Sequence, residues 1–174
     1  MHSGLVDLMH SQIESPELKE YFLEHNEKDN WKIYNKLRLL SVKSLRNEYD
    51  LFIFNSIYAR SLSINYSFDK ALKLYDKAES ILKIGTIDKY SESYFKINKY
   101  ISMGYMGVYD SEKTESLCQK YLATLKKNKK FINDFIRFSG NLTDIALYHK
   151  SRGFAKHIQN LKKILKEHPT NCKN

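Results

Sequence analysis

The chain has 174 residues, 42% hydrophobic and 28% charged, with only 6 Gly and 2 Pro. That length supports one domain with a sizeable core, and the scarcity of breakers predicts a chain that is helical nearly throughout. The net charge of +9 lies wholly in residues 125–174, which hold 12 Lys and Arg against 3 Asp and Glu; this favours an acidic partner (nucleic acid, an acidic protein face or an anionic peptide), the alternative being an ordinary solvated lysine surface.

In chain order, Leu5 to Ile13 reads as a short amphipathic helix. Ser15-Pro16-Glu17 restarts the helix with Ser as N-cap and Pro at the first helical position, and the segment runs to about Leu23. His25–Asn30 reads as a polar loop, and Asp29 or Asn30 caps a helix through Val42 that ends or bends near Arg46–Glu48. Leu51–Lys83 then forms two helical halves joined at Asn65–Phe68. In the second half Ala71, Tyr75 and Ala78 fall on one stripe, with Ala59 as the small residue facing them.

Gly85 reads as a helix stop, with Thr86 or Asp88 capping the next helix, whose stripe runs from Tyr90 to Tyr105. A partner helix takes Leu117, Tyr121, Leu122 and Leu125 inward. After the basic break Lys126–Lys130, a long helix from Phe131 to Tyr148 admits an interruption at Gly140. Ser151–Gly153 turns the chain into a last amphipathic helix from Phe154 to Leu165, and His168–Asn174 reads as a frayed tail.

Small residues precede the three hairpin turns at Ala59, Gly104 and Ala146, 45 and 42 residues apart, against the roughly 34 of a tetratricopeptide array. The expected fold is all-α: about eight helices in stacked antiparallel pairs, a degenerate tetratricopeptide-like repeat in one domain over residues 1–168. Such stacking leaves a concave face that takes an extended peptide or partner segment. The positions assigned to that face are Ser56, Arg60, Ser63, Asn98, Tyr105 and Thr143.

No Gly-rich phosphate loop, HExxH or CxxC occurs, and neither cysteine (Cys118, Cys172) has metal-ligand spacing to a histidine. The chain is therefore expected to be non-catalytic, with no cofactor and no metal. One spacing points elsewhere. Arg152 and His157, separated by four residues at a helix start, match the spacing of HEPN ribonucleases, in which Arg stabilises phosphate charge and His activates a ribose hydroxyl. The plainer alternative is a basic helix start with a solvated histidine. A second candidate surface is basic: Lys126, Lys127, Lys129, Lys130, Arg152, Lys156, Lys162, Lys163 and Lys166, suited to nucleic acid or an acidic protein.

The run SINYSFDKALKLYDKAESILK, followed by residues 88–125, resembles the C-terminal repeats of Rgg-type transcription regulators, peptide-pheromone sensors with degenerate tetratricopeptide repeats. The resemblance covers about Leu51 to Leu125. It implies a cytoplasmic, often dimeric receptor that binds a short peptide on its concave surface. Those regulators carry a helix-turn-helix before the repeats, for which Met1–Asn30 is too short. No apolar run approaches the roughly 18–20 residues of a membrane-spanning helix, and Met1–Leu8 is too short and polar for a signal peptide.

Overall fold

A computed structural model describes residues 4–27, 30–45, 47–149 and 154–167. These residues are all-α. The helices are α1 (Gly4–Gln12), α2 (Pro16–Glu27), α3 (Asn30–Leu39), α4 (Glu48–Ile64), α5 (Phe68–Leu82), α6 (Lys89–Tyr105), α7 (Ser111–Lys126), α8 (Ile132–Tyr148) and α9 (Phe154–Glu167). Single 3-10 turns occupy Val42–Ser44 and Lys129–Phe131, and no strand occurs among the described residues. The chain divides into two compact units: residues 6–95, and residues 96–167 with Gly4 and Leu5.

In the N-terminal unit, α4 is the central helix, with α2, α3 and α5 packed around it. Asn47 caps it by accepting the Asp50 N–H at 2.8 Å. Ala59, Ala71, Tyr75 and Ala78 are all buried; the small side chains let α4 and α5 approach closely, and one large ring fills the remaining space. Tyr75 and Phe52 flank Phe95, with ring centroids 6.0 and 5.3 Å from it, an aromatic cluster that adds about 0.5–1.5 kcal/mol per pair to its area burial. α4 ends at Asn65, and Tyr66 takes a left-handed conformation (φ 58°) to bring Ser67 N–H back to Leu62 O at 2.9 Å.

Asp88 starts α6, accepting the N–H groups of Tyr90 and Ser91 at 2.8 and 3.1 Å. Its other oxygen takes the Ser91 hydroxyl at 2.6 Å and the Gln12 amide at 3.1 Å. Ser91 in turn shares a 2.8 Å hydrogen bond with the Tyr49 hydroxyl, so α1, α4 and the start of α6 are held by one polar network. Gly85, at φ 85°, ends the preceding segment as a stop residue should.

Several boundaries differ from the sequence reading. α2 continues to Glu27, and α3 ends at Leu39 because Ser41 turns extended (ψ 121°) before the 3-10 turn. α8 runs unbroken through Gly140, where the missing side chain faces open space and leaves the helix undisturbed. Asp29, Ser151–Gly153 and the tail lie outside the described residues.

In the C-terminal unit, the buried residues Cys118, Leu125, Phe138, Ile145 and Ala146 form the core of α7 and α8. α6 reaches both helices at Gly104: a Cβ there would lie 2.9 Å from Thr114 Oγ1 and 3.2 Å from Ile145. Tyr100 and Tyr121 meet one turn earlier, their centroids 6.2 Å apart. The wholly buried Asp134 in the first turn of α8 accepts Leu5 N–H at 3.2 Å and pairs with Arg137 at 3.0 Å.

Candidate functional site

α7 begins at a sequence-encoded cap, Asp110, whose side chain accepts Lys113 N–H at 2.8 Å. From there Glu115, Gln119, Leu122 and Lys126 fall at helical spacing on one face. That face lines a groove of about 350 Å³ whose other walls are α8 and α9. The size lies at the lower end of the range for binding pockets. Leu122, Phe135 and Leu142 form its floor, with Ala123 and Ile164 beside them.

The rim is charged with both signs. Lys126 places its ammonium 5.7 Å from the Phe135 ring centroid, within cation–π range. On α9, Lys163 and Glu167 approach to 4.0 Å, an exposed pair of little energetic weight. Glu115 accepts a 3.4 Å hydrogen bond from Gln119. Ser139 and Thr143 point their hydroxyls back into α8, to Phe135 O at 2.8 Å and Ser139 O at 3.1 Å. Their proton donors are thereby used, and they offer an incoming ligand acceptors only. The groove can bind a segment with an apolar centre and charged flanks. Its residues do not assemble a nucleophile with a base.

The residues singled out from the sequence are distributed as follows. Thr143, Lys126 and Lys163 line this groove together. Lys127, Lys129 and Lys130 are exposed at the connection between α7 and α8, and Lys162 and Lys166 are exposed on α9. Arg152 and the side chains of Lys156 and His157 lie outside the described residues. Ser56, Arg60 and Ser63 belong to α4 in the N-terminal unit. Ser56 and Ser63 are buried, bonded to Phe52 O at 2.6 Å and Arg60 O at 2.8 Å. Arg60 is half-buried. A concave face was expected there; α4 has neighbours on too many sides to present one, and serine in such a helix bonds its own backbone. Asn98 is buried as well, whereas Tyr105 is 43% exposed and meets Tyr148 with centroids 6.1 Å apart.

The sequence reading turned Leu122 inward, placed Phe135, Leu142 and Ile164 on amphipathic helices and Glu115 in a helix first turn, and brought none of them together with Gln119 as a site. The one available signal was the spacing of Glu115, Gln119 and Lys126 on the apolar stripe of α7. Elsewhere, Cys118 is buried, and that burial together with Glu115 pushes its thiol up to about 12, so it is held as a neutral thiol. His149 donates from Nε2 to Gly104 O at 2.8 Å, a structural bond. Among the described residues, no three His, Cys, Asp or Glu side chains cluster as metal ligands, and no helix is long and apolar enough to cross a membrane. No family model, curated protein or solved structure matches the chain.

Proposed function

We propose that this chain is a non-catalytic regulatory module whose C-terminal unit binds an acidic, amphipathic segment of a peptide or partner protein in the groove between α7, α8 and α9. The observation that carries this reading is the apolar floor of Leu122, Phe135 and Leu142 framed by Lys126 and Lys163. Apolar anchors on the ligand would be desolvated on that floor, and its acidic flanks would meet the exposed lysines. In this reading α4–α5, α6–α7 and α8–α9 are degenerate tetratricopeptide-like pairs, and the module works as a cytoplasmic peptide sensor similar to the Rgg-type regulators. The support is the burial of Ala59, Ala71, Ala78 and Ala146 and the close approach at Gly104.

The test is selection from a displayed library of acidic amphipathic peptides, followed by titration of the winners against variants. Ala123 is exposed in the groove, so Ala123→Trp fills it without entering the core. Selected peptides should lose at least tenfold in affinity for this variant, and unchanged binding would remove the groove as the site.

A second reading has its own observation: Lys126, Lys127, Lys129 and Lys130 are all exposed around one short connection, a geometry suited to phosphate. Binding of single-stranded RNA or duplex DNA would then fall steeply with salt, survive Ala123→Trp and vanish on reversal of these four charges.

A further inference from the structure

The N-terminal unit contains a second cavity, of about 360 Å³, between α3, α4 and α5. One stripe of α4 forms its back wall: Leu51, Phe54, Asn55 and Tyr58, at helical spacing. Leu37, Leu40 and Leu74 complete an aliphatic enclosure. No carboxylate lines it, whereas two exposed cations do, Arg38 from α3 and Lys77 from α5. Neither cation forms an ion pair among the described residues. The field of Arg38 reaches the wall: burial raises the Tyr58 phenol above its ordinary range and Tyr34 adds to this, while Arg38 pulls it back down.

Asn55 is the neutral polar side chain of that wall with hydrogen-bonding capacity to spare. It is more than nine-tenths buried in an otherwise apolar wall, yet commits a single amide hydrogen, to Leu51 O at 2.7 Å. Its amide oxygen and second amide hydrogen have no partner among the described residues. Those atoms remain reachable on the cavity wall, and a side-chain amide offers one donor and one acceptor, the complement of another amide.

We propose that this cavity binds an N-acyl amino acid: an aliphatic chain, one amide and one carboxylate. The chain lies on Leu37, Leu51, Phe54 and Leu74, the amide pairs with Asn55, and the carboxylate faces Arg38 and Lys77. Three independent features of the wall, namely its aliphatic lining, its single buried amide and its uncompensated cations, each answer one part of that molecule. The proposal does not depend on the groove of the C-terminal unit.

The test is calorimetric titration of the whole chain with N-decanoylglycine, its methyl ester and N-acetyl-Leu-Leu. The acid is expected to bind saturably at one site, and the ester at least tenfold more weakly. Arg38→Gln with Lys77→Gln, both at exposed side chains, should bring the acid down to the ester's affinity and leave the ester unchanged. Asn55→Leu should weaken acid and ester alike, with circular dichroism confirming that the variant remains helical. Non-saturating uptake, equal binding of acid and ester, or indifference to the double substitution would overturn the proposal. Binding of N-acetyl-Leu-Leu as tight as that of the acid would overturn the acyl-chain assignment.

Discussion

The carboxylate of Asp50, wholly buried in the first turn of α4, accepts the backbone N–H of Ser15 at 2.8 Å. Its second oxygen accepts the neighbouring N–H of Glu14 at 2.9 Å. One side chain thus supplies the partners for donors at the entry to α2, where the helix itself provides none, and ties that entry to the central helix. Replacing Asp50 by Asn keeps the shape but turns an amide hydrogen-bond donor toward a backbone donor. The expected cost is about 1–3 kcal/mol, and a thermal melt followed by circular dichroism should show the midpoint lowered by several degrees. An unchanged midpoint would mean that the clamp carries no stability.

Tyr66 holds a left-handed backbone (φ 58°) while its side chain is 84% exposed. A non-glycine residue there is strained by roughly 1–2 kcal/mol, and little burial offsets it. Part of the relief in Tyr66→Gly is returned through the freer unfolded chain, so the net gain should be about 0.5–1 kcal/mol. Denaturant midpoints measure it; a loss of stability would show that the contact of Tyr66 with Phe68, at 6.0 Å between centroids, outweighs the strain.

Gly104 and Gly140 make a pair of opposite sign. At Gly104 an added methyl would come within 2.9 Å of Thr114 Oγ1, which is fixed by its bond to Asp110 O at 2.7 Å. Gly104→Ala should therefore destabilise by about 1–3 kcal/mol. At Gly140, inside α8, nothing lies within 4 Å of the added atom, and Gly140→Ala should stabilise by about 0.5–1 kcal/mol. Parallel unfolding curves of the two variants decide the matter, and identical shifts would contradict the close approach of α6 to α7.

Burial pushes the Asp88 carboxyl upward, but hydrogen bonds from Ser91, Gln12 and Tyr90 outweigh it and hold the group below its ordinary value of 3.8. A folded-state value below the unfolded one stabilises the fold above the unfolded value, and that contribution is lost as the pH falls through the folded value. Melting temperature should therefore drop on acidification below about pH 4. Asp88→Asn should be less stable at neutral pH and should show a shallower acid slope. An acid slope equal to that of the unaltered chain would assign the effect to other carboxylates.

Much of the fold was legible because the relevant forces are local. Pro16 opens α2, Asp88 caps α6 and Gly85 stops the preceding segment; each is decided by a residue and its near neighbours. The stripe Ala71, Tyr75, Ala78 is buried as its periodicity indicates, because apolar side chains at helical spacing can leave water only on one side. The end of α3 at Leu39 and the unbroken path of α8 through Gly140 were not legible, since a glycine weakens a helix without forbidding it.

What the sequence by itself determined is an all-α chain, with most of its caps and buried stripes and an excess of positive charge in its last third. Tertiary structure alone decided which faces remain open. Ser56, Ser63 and Asn98 are buried, although as isolated helical positions they could equally have faced solvent. Leu122, Phe135 and Leu142 read as ordinary core, yet they line a groove because of where α9 lies against α8. Asp50 and Asn55, two polar residues five positions apart on α4, gave no sign that one would clamp Ser15 and the other would sit in a cavity wall. The physical reason is the same in each case. Helix formation is settled over a few residues by spacing and capping, whereas exposure depends on how many other helices surround a given face, which is a property of partners distant in the chain.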